Sequence, residues 1–272
     1  MVNPADIPTT QKEKMRKSDS IDSNKLRRSL RNNELKGIYI PRPETFGDRS
    51  LIRVRSTIVR DMVRLKQRIK ATLYYYGIEY PIEFQKSSTH WSKRFLNWLK
   101  EIQLQSSTGT DALGMLIKEA ELQRELLLEA TKKMKILSKT ETYAKNMELI
   151  TSVPGIGVVT GMLYLAEIED INRFENTDKF TGLIGIVPNC HSSGPTEKTG
   201  EITPRGHSFL REALVESSWV AARIDPALSL AYYAYCKRME PNKAIIRIAR
   251  KLLNRIYSAL KYQKLYERGI VK

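Results

Sequence analysis

Two long stretches with apolar residues at three- and four-residue steps limit what this chain can become. Between Asp48 and Tyr76 the apolar positions are Leu51, Val54, Ile58, Met62, Leu65, Ile69 and Leu73, while Arg53, Arg55, Arg60, Arg64, Lys66, Arg68 and Lys70 fill the remaining faces. That is the one-sided stripe of a helix, not the alternation of a half-buried strand. Gly77 supplies a stop. From Thr110 to Ser138 a second stripe holds Leu113, Ile117, Ala120, Leu127, Ala130, Met134 and Leu137 with heptad-like spacing, which predicts an antiparallel helical pair with the first or a dimer seam. Between them Trp91, Phe95 and Trp98 are spaced to share one helix face, and core packing is favoured over base stacking for such a stripe.

On either side the pattern is shorter. The first ten residues hold Pro4 and Pro8 and read as an extended connector. From Ser18 to Asn33, Ile21, Leu26 and Leu30 form the thin apolar edge of a surface helix, closed by Pro41 and Pro43. From about Glu148, short helices alternate with Gly- and Pro-containing turns, with a strand-like run at Leu183–Val187. Asp225-Pro226 offers an N-cap and a first-turn proline, and a last helix follows Pro241 through Ile245, Ile248, Leu252, Ile256 and Leu260. The expected fold is mainly α. It divides into an opening segment 1–47, a helical coiled-coil-like arm 48–146 and a compact helical domain 147–272.

Composition enters through charge. A formal net charge of +16 on 272 residues favours a polyanionic partner, nucleic acid before membrane, with binding that weakens steeply in salt. The stretch Lys237–Lys272 alone carries eleven Lys or Arg against Glu240 and Glu267; its apolar face should pack and its basic face meet phosphates or solvent. Cys190 and Cys236 cannot build a disulfide framework, and with three histidines they make no zinc pattern. No stretch reaches the roughly 18 consecutive apolar residues of a membrane span, so no membrane partner and a cytoplasmic location are expected.

Three short motifs can carry chemistry. Pro154-Gly155-Ile156-Gly157, between apolar approaches, reads as a helix-hairpin-helix whose second helix offers free N–H groups to a DNA phosphate; a ligand-free tight turn is the plain alternative. Ser193, before Gly194 on a turn, can hold its hydroxyl clear of its own backbone as a nucleophile must, although Ser-Ser-Gly is also ordinary loop composition. Asp19 and Asp22, three apart, would lie on one helix face and could share a magnesium ion; a solvated acidic edge among Lys14, Arg16, Lys17 and Lys25 is the alternative.

Taken in order, these elements resemble the family-110 insertion-sequence transposases, also described as bridge-RNA-guided recombinases. Val2-Asn-Pro-Ala-Asp-Ile-Pro-Thr with Lys17-Ser-Asp-Ser-Ile-Asp-Ser is similar to the end of that family's RuvC-like DEDD domain, and Leu149–Val215 is similar to its C-terminal transposase domain. The resemblance implies that segment 1–47 is a RuvC-like remnant and that Asp19 and Asp22 are the last two acidic ligands of a Mg2+ site. It places Ser193 on the nucleophile, forming a phosphoserine link to DNA, with Pro154 to Gly157 as DNA contacts. Lys198, Arg205 and Arg211 are weaker candidates for phosphate clamps. It also implies a structured guide RNA beside the DNA and a homo-oligomer. The family's first Asp and Glu of DEDD would precede Met1, so an N-terminally truncated and inactive chain is expected, and Arg205 falls one position after the usual basic residue. The rival expectations are a non-enzymatic helix-hairpin-helix DNA-binding protein and a decayed transposase remnant.

Overall fold

The computed structural model describes residues 1–269 apart from Lys17, Gly194, Pro195 and Pro204, and for residues 5, 14, 188–193 and 196–201 it describes the backbone alone. The fold is mainly α with one two-stranded hairpin. Packing divides it into two units, residues 1–46 and 47–272.

In the first unit, α1 (Gln11–Met15) opens on a capping box in which Thr10 and Glu13 satisfy each other's backbone N–H groups. The Thr10 backbone and hydroxyl hold the Glu13 carboxyl down at about 2. Helix α2 (Asp19–Arg31) is capped by Ser18, and Val2 bridges to Gly37. Arg28 closes the unit on itself by donating to Glu13 (3.1 Å) and to the Pro8 carbonyl (3.4 Å). The apolar edge expected of α2 is not its inner face: Leu26 and Leu30 are exposed, and the buried positions are Lys25 and Ser29. Lys25 reaches that position by burying its aliphatic stem and donating to Asp22 at 2.8 Å.

The second unit is built on α3 (Pro43–Tyr75) and α5 (Ser107–Leu137). They run antiparallel. Ile52 and Met134 share one core, Arg55 donates to the Thr131 hydroxyl (2.9 Å), and further out Leu65, Ile69 and Leu73 share a second core with Leu113, Ile117 and Ala120. Between the two helices, α4 (Lys93–Glu101) adds Phe95, Leu96 and Leu99 to that outer core. Phe95 is fully enclosed, with Tyr80, Phe84, His90, Trp91 and Trp98 around it at ring separations of 4.7–6.1 Å. The three aromatics are core, but not on one helix: Trp91 lies ahead of the Ser92 cap in the left-handed region (φ 67°) and folds back over Phe95, with the Lys66 ammonium 5.1 Å from its ring.

The main core gathers α6 (Glu141–Thr151), α7 (Val158–Ile168), α8 (Thr177–Ile184), α9 (Ser208–Ile224), α10 (Pro226–Cys236) and α11 (Pro241–Tyr262). Helix α11 runs through its centre, burying Ile245, Ile248, Leu252, Leu253 and Ile256. Asp225 caps α10 through the Leu228 N–H (2.8 Å), with Pro226 in the first turn. The run Leu183–Val187 is not a strand. Leu183 and Ile184 end α8, Gly185 turns left-handed (φ 79°) as its cap, and the antiparallel hairpin of β1 (Pro188–Ser193) and β2 (Thr196–Ile202) begins only at Pro188. The short apolar run looked like a strand because a two-turn helix buried on one side and a buried strand share that pattern.

Candidate functional site

The hairpin carries the serine motif. Its register pairs Ser193 with Thr196 and His191 with Lys198, so Ser193 is the last paired residue of β1. Opposed residues and every second residue of a strand share a face; Ser193, His191, Thr196 and Lys198 therefore lie on one face of the hairpin.

Its root is built from the flanking helices. Gly185 and Gly206 cross at contact: a Cβ on Gly206 would stand 2.6 Å from the Gly185 Cα, and one on Gly185 would stand 2.2 Å from the Arg205 carbonyl oxygen, with both glycines at positive φ (79° and 114°). Only glycine fits such a crossing. Around it, the Thr203 N–H donates to the Val187 carbonyl (3.0 Å) and the His207 N–H to that of Leu183 (2.8 Å). Arg211 straps both sides, with Nε donating to the Ile184 carbonyl (3.2 Å) and a terminal nitrogen to that of Arg205 (2.8 Å). Of the basic candidates, Arg205 is exposed beside the root, Arg211 is part of the root and Lys198 is on β2.

Beneath the root sits a group the sequence motifs missed. The Glu167 carboxylate, only 4% exposed, meets Arg53 at 2.8 Å, His207 Nε2 at 3.3 Å and Arg49 at 3.5 Å. Burial pushes this carboxyl up, but hydrogen bonds from His207 and Arg53, together with the Arg53 charge, outweigh it and the net shift is downward. On its other nitrogen, His207 Nδ1 accepts the Leu210 N–H (3.3 Å) and so caps α9. Tyr164, one turn before Glu167, donates from its buried hydroxyl to the Leu210 carbonyl (3.1 Å). The signal was present: a lone Glu in the apolar run Met162–Ile168 can stay ionised only with cationic partners.

The Pro154–Gly157 turn joins α6 to α7, and its two glycines do different work. Gly155, at φ 83°, lies against α9, where a Cβ would stand 2.3 Å from the Ser217 carbonyl oxygen. Pro154 and Ile156 are buried. Gly157 has nothing within 4 Å of its Cβ position and caps α7 with no side-chain hydrogen bond, which leaves first-turn N–H groups with no side-chain acceptor. A cleft of about 280 Å³ adjoins this end, lined by Arg55, Arg60, Val159, Thr160, Glu212 and Glu216 among others. Along α11 a larger groove, about 1050 Å³, is lined by Lys251, Arg255, Tyr262, Lys264 and Tyr266 among others.

Asp19 and Asp22 stand in the exposed first turn of α2, within the first unit, and Asp22 is engaged by Lys25. Among the described residues no group of three or more His, Cys, Asp or Glu gathers as a metal would require. Two carboxylates, one of them paired, do not fit a magnesium site by themselves, because this hard cation needs a fuller oxygen shell. No described helix is long and apolar enough to cross a membrane.

Residues 147–234 match the family model described as Transposase IS116/IS110/IS902 family. The chain is 26% identical over 221 residues to a putative transposase, y4qE, of Sinorhizobium fredii, covering 80% of this chain and 51% of the relative. It is 25% identical over 229 residues to the transposase for insertion sequence element IS1111A of Coxiella burnetii, covering 81% and 60%. An uncharacterized 43.6 kDa protein of insertion element IS110 from Streptomyces coelicolor is 30% identical over 122 residues, covering 44% and 30%. The chain thus spans about half to three-fifths of the length of the first two relatives. The segment 147–234 that matches this family model contains the Pro154–Gly157 turn, the hairpin and the whole of its root.

Proposed function

We propose that the chain is the strand-cleaving part of an insertion-sequence DNA transposase, with Ser193 as its nucleophile. The Ser193 oxygen attacks a DNA phosphorus; a Ser–O–P ester forms, one P–O ester of the strand breaks, and the serine proton ends on the hydroxyl that the strand releases. A hydroxyl from a second strand reverses the step, joining strands with no ATP because the ester is conserved. Lys198, on the same hairpin face, and Arg205, exposed at the root, are the phosphate contacts that steady the charge gathering on the attacked group. The α7 end at Gly157 holds the backbone of the duplex through its N–H groups. Asp19 and Asp22 contribute two ligands to a Mg2+ site at most, and no step above is routed through the ion. A structured guide RNA and a second copy of the chain complete the partners, in the cytoplasm.

The observation that supports this reading is the hairpin: within the segment that matches the family model, a root strapped by Arg211 carries two paired strands, with Ser193 at the end of β1 and a basic residue, Lys198, on the same face. The test is a denaturing gel of the purified chain with end-labelled duplex DNA from the flanks of its own coding region and RNA transcribed from those flanks. A label that stays with the protein and is lost in Ser193→Ala is expected, with no joined strand product, since Asp19 and Asp22 alone do not fill a Mg2+ site and the chain is inactive in full exchange. DNA retention without any such adduct in the unaltered chain would replace this reading with that of a non-enzymatic DNA-binding protein.

A further inference from the structure

Glu167 lies where three parts of the second unit meet. It is on the last turn of α7, its Arg49 and Arg53 partners belong to the base of α3, and its His207 partner is part of the hairpin root and the cap of α9. Arg49 also donates to the carbonyls of Ala166 and Glu167, at 2.8 and 3.0 Å, so the arm grips the end of α7 by backbone as well as by charge.

The imidazole transmits this grip. An Nδ1 that accepts the Leu210 N–H carries no proton, so the ring hydrogen sits on Nε2 and points to Glu167. One side of His207 fixes where α9 starts, and the other fixes where the root lies relative to α7. His207 also donates its backbone N–H to Leu183, on the incoming side of the hairpin. Moving the base of α3 therefore shifts the carboxylate, the imidazole and both sides of the hairpin together.

We propose that Glu167 is a positioning residue: through His207 it ties the hairpin root to the base of the arm, so the placement of Ser193 follows the arm. This rests on the reading of Ser193 as nucleophile, but the tie itself can be judged apart from it. Glu167 touches no reacting atom in this scheme.

The experiment compares the full chain with Glu167→Gln, Arg53→Ala and Arg53→Lys, reading amide hydrogen exchange, DNA affinity and the rate of the Ser193-dependent adduct. Breaking a buried ion pair opens the structure locally. In Glu167→Gln the amides of His207, Leu210 and Arg211 should exchange about tenfold faster, with those of Leu65 to Leu73 unchanged. Arg53→Ala, at a half-exposed side chain where misfolding is not a concern, should act in the same direction by less, and Arg53→Lys should restore protection. The adduct should form more slowly in step with exchange while DNA affinity holds. Unchanged exchange at the root in both Glu167→Gln and Arg53→Ala would overturn the proposal, as would equal acceleration at Leu65 to Leu73, which would mark general loosening. If the unaltered chain forms no adduct, the nucleophile reading fails, and the exchange results still support the tie by a selective rise or overturn it by none.

Discussion

At the far end of the arm, Phe95 is enclosed by five aromatic rings; at the hairpin root the contacts are made by two glycine backbones, a guanidinium and a carboxylate. Both are tight, but the first is held by apolar area and the second by backbone contact, hydrogen bonds and charge. The first kind of order tolerates imperfect placement, since dispersion and burial are non-directional. The second depends on geometry and suits a segment that must present one residue in one place.

The largest effect should come from removing the central ring. Phe95→Ala deletes a fully buried aromatic at a cost of about 3 to 5 kcal/mol. Because the outer and main cores are separate clusters, hydrogen exchange should show the loss in α4 and the outer turns of α3 and α5, with α9 and α11 protected as before. Equal loss in α11 would break the comparison by making the two cores one cooperative unit.

Next is the glycine crossing. Gly206→Ala adds a methyl 2.6 Å from the Gly185 Cα at φ 114°, combining left-handed strain with overpacking, together about 2 to 4 kcal/mol. Urea unfolding followed by far-UV circular dichroism should show the loss, and exchange should place it at the root with the arm tip unchanged. An unchanged unfolding midpoint would mean that the root yields and the contrast with the tip is false.

A smaller effect concerns pH. The folded Glu167 carboxyl ionises below its ordinary 4.5. Its contribution is therefore complete above the unfolded value and is lost as pH falls through the folded one. Stability read at the root should decline as pH drops below about 4.5, with a shallower decline in Glu167→Gln. The aromatic core, packed from rings and bridged between α4 and α5 by the solvent-screened Lys100–Glu121 pair, should change far less over that range. Parallel pH profiles in the two proteins would detach Glu167 from the root's stability.

The same contrast explains what the sequence made legible. Helices α3 and α5 were evident because apolar periodicity is a property of near neighbours, and so were the Asp225-Pro226 cap and the stop at Gly77. The face of α2 was not, because Lys25 is buried by its stem and Leu30 is exposed, against the usual ranking. The order of the serine motif announced a family, but its root joins Leu183 to His207, Gly185 to Gly206 and Glu167 to Arg53. Those pairings are distant in the chain and leave no period. Even Arg211, which reads as a basic side chain available to phosphate, spends two donors on carbonyls of the root.

The smallest predicted change separates two glycines that look alike in Pro154–Gly157. Gly155 is locked against α9 and belongs with the root, whereas Gly157 has an ordinary extended backbone (φ −95°, ψ 174°) and open space where a side chain would go. Serine at 157 can accept an N–H from the first turn of α7, so Gly157→Ser should stabilise the chain by a few tenths of a kcal/mol, about 0.3. If those N–H groups are what a DNA phosphate meets, the same hydroxyl competes with the phosphate, and affinity should fall severalfold while stability rises. Fluorescence anisotropy with a labelled duplex at two salt concentrations reads this directly: a mutant more stable and weaker in binding places the phosphate at α7. A mutant more stable with unaltered affinity makes the whole turn a packing device, as Gly155 already is, and moves the DNA contact to the basic face of α11.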